Sequence, residues 1–466
     1  MRYISTRGTA PELGFEDAML AGLARDGGLY LPASWPQLSP EEIAGFAGLS
    51  YEEVAFRVMW PFVGDAFSEA EFRDIIARAY ADFDHTARCP MSQIGPNDWL
   101  LELFHGPTLA FKDVAMQLIG QLFEASLKRS GKRIAIVGAT SGDTGSAAIE
   151  AFRGREGVEV YILFPDGRVS DVQRRQMTTP DDANVHALAI AGDFDDAQAR
   201  VKDMFNDHDF RDATGLAGVN SINWARVLAQ AVYYFTAAVA LGAPHRKVSF
   251  TVPTGNFGDV FAGYVAKRMG LPIDRLVIAT NQNDILHRTL ESGAYVKGQV
   301  EPSISPSMDI QVSSNFERLL FELYDREGPA VAQLMGDLST LGEFALSQGA
   351  VDRLRAEFDS ARVSEDETRA TIRDTLTGTG KVICPHTAVA VHAAKARRGD
   401  PAVPMVVLAT AHAAKFPDAV EAACGVRPAL PPSMADLFDR PERVTAVPND
   451  LAAIEAIVAG ETEKTA

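Results

Sequence analysis

This sequence has few cysteines, no long apolar run and no excess of positive charge. Cys89, Cys384 and Cys424 are the three cysteines, too few and too scattered for a disulfide framework or a cysteine-rich metal site. The most apolar stretch, residues 231–243, is shorter than the roughly 20 residues that a membrane span needs. The first residues lack the apolar core of a signal peptide. We therefore expect a soluble protein of the reducing cytoplasm, with no role at a membrane.

The balance of charge also narrows the choice of partners. Acidic residues outnumber basic ones by 62 to 44, so the formal net charge is −18. A surface of this sign repels nucleic acid and anionic lipid, and neither is expected as a partner. His386 and His392 lie six residues apart, on different faces of a helix, and no acid completes a zinc set. No metal site is predicted. An anionic substrate would require positive charge gathered inside a cleft.

What is present indicates a globular α/β protein of several domains. The chain has 466 residues, of which 47% are hydrophobic and 23% are charged, which is typical of folded proteins with more than one core. After a mainly helical start, short apolar strands alternate with amphipathic helices, a pattern that predicts parallel-rich sheets covered by helices. The predicted boundaries are 1–88 for an N-terminal domain, about 125–245 for a smaller α/β domain, and about 89–124 plus 246–466 for a larger one with a helical, acidic insertion near 317–377.

The first segment with polar chemistry is Ser141-Gly142-Asp143-Thr144-Gly145, which follows the predicted strand 133–137. Hydroxyls and free backbone N–H groups at the start of a helix bind carboxylate or phosphate, although an ordinary helix N-cap uses the same residue types. Together with Gly138, the glycines space as G-x-x-x-G-x-x-G. This departs from the dinucleotide-binding fingerprint and disfavours a nucleotide-dependent reductase.

A second glycine-rich segment, Gly255-Asn256-Phe257-Gly258-Asp259, follows the predicted strand 248–252. Glycine lets backbone amides approach a phosphate closely, and a helix that begins there adds its positive end. The segment lacks the lysine of a P-loop, so it suits a held cofactor phosphate better than a transferred one. An ordinary strand-to-helix turn remains the alternative.

Lysine and threonine side chains complete the candidate chemistry. Lys112 follows a Gly-Pro turn and the apolar residues 109–111, and it opens a predicted helix. A lysine that bonds covalently to a carbonyl must be desolvated and close to positive charge, whereas most lysines are simply solvated. Thr410, at the end of the predicted strand 405–409, can face a pyridine nitrogen. His412 and Lys415 can meet an anion.

Seven segments, taken together and in order, resemble the motifs of the threonine synthase family, whose members are pyridoxal phosphate (PLP) enzymes of fold type II, the tryptophan synthase β-like fold. The segments are 2–8 with 26–32, 105–108 with 111–113, 141–145, 220–226, 255–259, 306–310, and 410–412 with 415–416. One departure is visible. The family usually has Asp-Pro-His-Thr-Ala where this chain has Cys384-Pro385-His386-Thr387-Ala388, and a thiol supplies no carboxylate.

The resemblance implies two open, twisted, parallel-rich sheets flanked by helices, with PLP as the cofactor held covalently by Lys112. The implied ligands of PLP besides Lys112 are Gly255, Asn256, Phe257, Gly258 and Asp259 at its phosphate and Thr410 at its pyridine nitrogen. The implied substrate contacts are Ser141, Gly142, Asp143 and Thr144 for the carboxylate or the cofactor ring oxygen, and Lys415 for the leaving phosphate.

The implied reaction converts O-phospho-L-homoserine and water into L-threonine and phosphate, with Lys112 as the proton shuttle. A related PLP lyase is the first alternative: a threonine or serine dehydratase, or a phospholyase acting on another phosphorylated hydroxyamino acid. A non-enzymatic protein with the same fold is the second. We expect a monomer or a homodimer.

Overall fold

The computed structural model describes residues 1–140 and 142–464, with the side chains of 461–464 left out. The strands are β1 (Tyr3–Ser5), β2 (Tyr30–Pro32), β3 (Met91–Gln93), β4 (Asp98–Glu102), β5 (Ile134–Ala139), β6 (Val158–Pro165), β7 (Val185–Ile190), β8 (Leu216–Ala217), β9 (Val248–Pro253), β10 (Ile273–Thr280), β11 (Ala294–Val296), β12 (Glu343–Ala345), β13 (Phe358–Arg362), β14 (Met405–Ala409) and β15 (Thr445–Val447).

Helices connect and cover these strands. They are α1 (Phe15–Ala21), α2 (Pro40–Ala44), α3 (Tyr51–Val63), α4 (Glu69–Ala79), α5 (Lys112–Ser130), α6 (Asp143–Phe152), α7 (Asp171–Thr178), α8 (Phe194–Asn206), α9 (His208–Thr214), α10 (Trp224–Ala240), α11 (Gly258–Arg268), α12 (Ile285–Ser292), α13 (Phe316–Leu323), α14 (Gly328–Thr340), α15 (Gln348–Glu357), α16 (Glu365–Thr379), α17 (Pro385–Ala396), α18 (Pro417–Cys424) and α19 (Leu451–Lys464). Short 3₁₀ turns cover Pro306–Met308, Ala413–Lys415 and Pro432–Met434. None of the described helices is both long and apolar enough to cross a membrane.

The larger sheet has the strand order β13-β10-β9-β14-β4-β3. All neighbouring pairs are parallel except β3 with β4, which is antiparallel. Every residue of β14 is buried, as expected for a central strand covered by helices on both faces. The predicted α/β fold with parallel-rich sheets is confirmed.

The smaller sheet is entirely parallel, with the order β15-β7-β6-β5-β8. All eight residues of β6 are buried. Its edge strand β15 comes from residues 445–447, although residues 246–466 were predicted to belong to the larger domain. The physical reason is a short apolar segment, ending in the buried Val447, that pairs with the open edge of β7. Conversely, α10 packs against α3, α5 and α11 rather than within the smaller domain.

The N-terminal region is mainly helical, as predicted, and it also contains the antiparallel pair β1 and β2. Its core belongs to one cluster of buried residues that also includes residues of α5, α10 and both the larger and the smaller sheet. The rings of Tyr3 and Phe62 lie 6.1 and 5.9 Å from the ring of Trp224, at the start of α10. These large buried aromatics join the first domain to the helix layer of the larger sheet.

The region 317–377 differs from the helical insertion that was predicted. It contains α13, α14, α15 and most of α16, but it also supplies β13, which pairs in parallel with β10 at the edge of the larger sheet. The strand begins at Phe358, directly after α15 ends at Glu357, with no glycine or proline between them. Glycine and proline usually mark such boundaries in a sequence, so the change from helix to strand could not be predicted here.

Candidate active site

Lys112 is buried, with 7% of its surface exposed, and it is the first residue of α5. The segment before it is held to the end of β14. The N–H of Phe111 donates to the carbonyl oxygen of Thr410 at 2.8 Å, and the N–H of His412 donates to that of Leu109 at 3.0 Å. Leu109 has a φ of 63°, a conformation that costs energy in a non-glycine residue and occurs often at functional sites. Backbone pairing thus fixes the position of Lys112 beside Thr410.

The carboxylate of Asp143 lies between two lysines. Its Oδ2 is 3.3 Å from Nζ of Lys112, and its Oδ1 is 3.1 Å from Nζ of Lys415. Burial lowers the pKa of Lys112, and the charge of Lys415 acts in the same direction while Asp143 opposes it. Burial alone would raise the pKa of Asp143, but the two lysines hold it well below its usual range. The site therefore combines a fixed negative charge with an amine that loses its proton more readily than usual.

Asp143 is oriented from α7 as well. Nε2 of Gln173 donates to its Oδ1 at 2.8 Å. Gly142 precedes α6 with a φ of 136°, and a Cβ there would overlap the side chain of Gln173. Both the positive φ of this residue and the close approach of Gln173 therefore require glycine. Thr144 is half-buried in the first turn of α6, and Ser141 lies outside the described residues.

Lys415 is fully buried. Its Nζ donates hydrogen bonds to the carbonyl oxygen of Thr108 at 2.6 Å and to Oε1 of Gln176 at 2.9 Å, and it forms an ion pair with Oδ1 of Asp143 at 3.1 Å. Lys415 therefore connects the loop before Lys112 with the helices of the smaller sheet. Its role toward a leaving phosphate stays a prediction.

The segment 255–259 forms a tight turn at the start of α11. Phe257 adopts a φ of 64° and provides no side-chain cap for the helix, so the N–H groups of the first turn remain for an anion. A Cβ on Gly255 would lie 2.8 Å from the carbonyl oxygen of Ser307. The backbone N–H and Nδ2 of Asn315 both donate to the carbonyl oxygen of Asn256 at 3.0 Å. The turn is therefore rigid and its geometry suits an anion such as a phosphate; we refer to residues 255–258 as the cradle.

Asp259 faces away from this cradle, toward α10. Its Oδ1 accepts hydrogen bonds from the hydroxyls of Tyr233 and Tyr234, the second at 3.1 Å. Burial raises the pKa of Asp259 to about 7, although both tyrosine hydroxyls act against the rise. These hydrogen bonds hold the start of α11 against α10. A direct contact of this carboxyl with a cofactor stays a prediction.

Arg226 is a buried residue that sequence reasoning did not single out, although it ends the segment 220–226. It is 3% exposed, and one guanidinium nitrogen donates to the carbonyl oxygen of Val219 at 3.2 Å. Its Nε has no protein acceptor in the described part of the chain. Burial lowers the pKa of Arg226 to about 10, and its charge contributes to the lowered pKa of Lys112. A buried guanidinium with a free donor is suited to an anionic ligand.

Cys384 stands where the threonine synthase family usually has Asp, and its local contacts explain the exchange. Cys384 is the N-cap of α17, and the backbone N–H of Thr387 donates to its Sγ at 3.4 Å. Capping is the common role of an Asp at such a position. In this chain the thiol takes that role, at a site with no exposed surface.

The residues present fit PLP. Lys112 supplies a buried amine with a lowered pKa, the turn before α11 offers N–H groups and an obligate glycine for a phosphate, and Thr410 stands buried at the end of β14 beside the Lys112 loop. Fold type II requires an amine, an anion cradle and a ring partner. The turn before α11 and Thr410 lie at the carboxyl ends of β9 and β14, where open α/β sheets bind their ligands, and backbone hydrogen bonds hold Lys112 beside Thr410.

Comparison with known proteins gives the family. Family models match residues 2–80 as "Threonine synthase N terminus", 90–411 as "Pyridoxal-phosphate dependent enzyme" and 387–458 as "Threonine synthase, C-terminal". Threonine synthase of Pseudomonas aeruginosa is 54% identical over 98% of both chains. The chain belongs to the threonine synthase family. Its cofactor is PLP, and it is a lyase by class.

Further comparisons show how far the family likeness extends. The crystal structure of PLP-bound threonine synthase from Brucella melitensis matches with a TM-score of 0.97 and 57% identity, covering 99% of each chain. A human protein named threonine synthase-like 2 is 36% identical over 96% of this chain and 93% of its own. The entire chain, including the N-terminal region and the end that carries β15, is therefore shared with threonine synthases.

Proposed function

We propose that this enzyme converts O-phospho-L-homoserine and water into L-threonine and inorganic phosphate, the last step of threonine biosynthesis. The observation that carries the proposal is the buried amine of Lys112, 3.3 Å from Asp143, within a chain that aligns over 98% of its length with a threonine synthase. Lys415 and Arg226 also provide buried positive charge in the site. Because the net charge of the protein is −18, a phosphorylated substrate requires such local positive charge.

PLP, bound through Lys112, supplies a ring that withdraws electrons and stabilises negative charge on the substrate carbons next to the amino group. Thr410 would face the pyridine nitrogen with a neutral hydroxyl, which does not protonate the ring as an acid would. Nζ of Lys112 moves the protons at Cα and Cβ of the substrate, since burial lowers its pKa and frees its lone pair. Phosphate leaves Cγ with the electrons of the broken C–O bond, and Cγ takes up a proton and becomes the methyl group of threonine. Water then adds its hydroxyl at Cβ, and a proton returns to Cα.

Asp143 and Arg226 have separate tasks in this proposal. Asp143 keeps its negative charge between the two lysines and so orients Nζ of Lys112. Arg226 offers its free Nε to an anionic group of the substrate, since no protein acceptor in the described residues engages that atom. Together they place one fixed anion and one fixed cation around the proton-transferring amine.

The test is to supply the purified enzyme with O-phospho-L-homoserine and to measure phosphate and L-threonine together. Equal amounts of both support the proposal. Phosphate accompanied by a keto acid in place of threonine would overturn it in favour of a related lyase. Borohydride reduction followed by peptide mapping must find PLP on Lys112, and Lys112→Ala must lose both this label and turnover. PLP on another lysine would contradict the assignment.

We also propose a cytoplasmic location. Cys89, Cys384 and Cys424 are unpaired in the structure, which suits a reducing compartment. A thiol reagent added to the purified protein under denaturing conditions, without a reductant, should titrate three thiols. A lower count would speak for an oxidising compartment.

A further inference from the structure

His386 is a buried titratable residue that the mechanism above does not use. It is the second residue of α17 and 3% exposed, and its ring packs against that of Phe416 with centroids 4.8 Å apart. Cys384, which caps the same helix, packs with Ala411 and Phe416, on the segment that runs from Thr410 to Lys415. The ring therefore lies against the part of the chain that forms one wall of the active site.

The other neighbour of the ring leads to the phosphate cradle. The backbone N–H of Ser307 donates to Nε2 of His386 at 3.2 Å. The carbonyl oxygen of the same residue is the atom that a Cβ on Gly255 would meet. His386 thus stands between the 306–308 turn, which supports the cradle, and the 410–416 segment. The charges that act on the ring are those of Asp143, Lys112 and Lys415.

The hydrogen bond to Nε2 determines where the ring proton is. A ring nitrogen that accepts an N–H carries no hydrogen of its own, so the neutral imidazole has its proton on Nδ1. Burial lowers the pKa of His386 to about 4, which keeps the ring neutral near pH 7. Nδ1 is buried and meets no protein acceptor within the described chain. A buried N–H donor in a native protein nearly always has a partner.

We propose that the Nδ1–H of His386 donates a hydrogen bond to a phosphate oxygen bound in the active site. This inference rests on the proposed function and deepens it, because two phosphates belong to that function, one on the substrate and one on the cofactor. Both present the same acceptor, an anionic oxygen. His386 is then a ligand-binding residue, with no part in proton transfer.

Two substitutions separate this role from a structural one. In His386→Gln the side-chain oxygen reaches the former Nε2 position and still accepts from Ser307, but the donor at Nδ1 is lost. In His386→Asn the amide nitrogen replaces Nδ1 as a donor, but the acceptor for Ser307 is lost. The probes are inorganic phosphate added to the holoenzyme, followed by the cofactor absorbance, and PLP added back to the apoprotein. Neither measurement needs turnover, so a failure of the proposed reaction would not affect the result.

We expect His386→Gln to weaken the binding of one phosphate by about 10- to 100-fold, the effect of losing a hydrogen bond to a charged group, with His386→Asn close to wild type. Loss of affinity for inorganic phosphate alone identifies the substrate phosphate as the partner, and loss for PLP alone identifies the cofactor phosphate. Equal losses in both variants, or a loss only in His386→Asn, would show a structural role and overturn the proposal. Unchanged affinities in His386→Gln would overturn it as well, and would indicate a bound water as the acceptor.

Discussion

At the scale of single residues, Asp259 couples the stability of the enzyme to pH. Burial raises its folded pKa to about 7, from 3.8. Between these values the folded chain holds a proton that the unfolded chain has lost, so the free energy of unfolding falls as pH rises from about 4 to about 7. The cost is about 1.4 kcal/mol for each unit of pKa difference, and it is fully present above pH 7.

Asp259→Asn should therefore gain stability relative to the wild type as pH rises, from little difference at pH 4 to a gain of about 2–4 kcal/mol at pH 8. The asparagine oxygen still accepts from Tyr233 and Tyr234. Urea unfolding at pH 4, 5.5 and 8 measures the difference. The control is Asp439→Asn, which changes an exposed carboxylate and leaves the buried carboxyl of Asp259 in place. A constant difference for Asp259→Asn would contradict the prediction.

At the scale of elements, the turn that opens α11 depends on Gly255. An alanine there places Cβ 2.8 Å from the carbonyl oxygen of Ser307. Because both the turn at 255 and the neighbouring atom of Ser307 are backbone, the contact can be relieved only by a shift of the cradle. We expect Gly255→Ala to weaken PLP binding by at least about 10-fold, measured by titration of the apoprotein with PLP, since a displacement of well under 1 Å costs a donor its alignment.

The matched control for that variant is Gly336→Ala, in the interior of α14, where an added Cβ meets nothing within 4 Å. Alanine should stabilise this exposed helix position by about 0.5–1 kcal/mol and leave PLP binding unchanged. Equal PLP affinities for the two variants would show that the cradle tolerates a side chain at Gly255.

The cap of α17 gives a second prediction at this scale. Cys384→Ala removes the acceptor for the N–H of Thr387 and should lower the free energy of unfolding by about 1 kcal/mol. Cys384→Ser keeps an acceptor and should stay within about 0.5 kcal/mol of the wild type. Thermal or urea unfolding distinguishes them. Equal stabilities of the alanine and serine variants would show that the thiol does not act as a cap.

At the scale of the whole molecule, the end of the chain closes the smaller sheet. Val447 is 4% exposed and joins the core of β5, β6 and β7, whereas Val444, three residues earlier, is 47% exposed. We expect Val447→Ala to cost about 2 kcal/mol and Val444→Ala to cost under about 0.5 kcal/mol. Hydrogen exchange should show the added loss of protection in β7. Similar costs for both variants would mean that β15 contributes little.

Much of this fold was predictable because its strands are short apolar runs between clear breaks. The predicted strand 405–409 coincides with β14, the predicted strand 248–252 lies within β9, and the helix predicted from Lys112 begins there. The edge strands β13 and β15 were not predicted. Edge strands bury less of their surface and have weaker patterns, and their place is set by partners far away in the chain.

The candidate site was predictable in its parts but not in its connections. The resemblance of the motifs predicted that Lys112, the 255–259 turn and Thr410 contact the same cofactor. Three-dimensional contacts were needed to see that Lys415 donates hydrogen bonds to Thr108 and Gln176 and forms an ion pair with Asp143. Likewise, no periodicity or spacing marks Arg226 or the unpaired nitrogen of His386, because burial and missing partners are properties of the folded chain.

The position of β15 has a consequence for synthesis on the ribosome. The chain emerges from its first residue, so β5 to β8 are complete long before Thr445–Val447 leaves the exit tunnel. Throughout that interval the outer edge of β7 has no neighbour, and an open strand edge pairs readily with other chains. The newborn protein therefore has an unpaired strand edge at β7 during this interval, and premature termination before codon 445 would leave that edge permanently exposed.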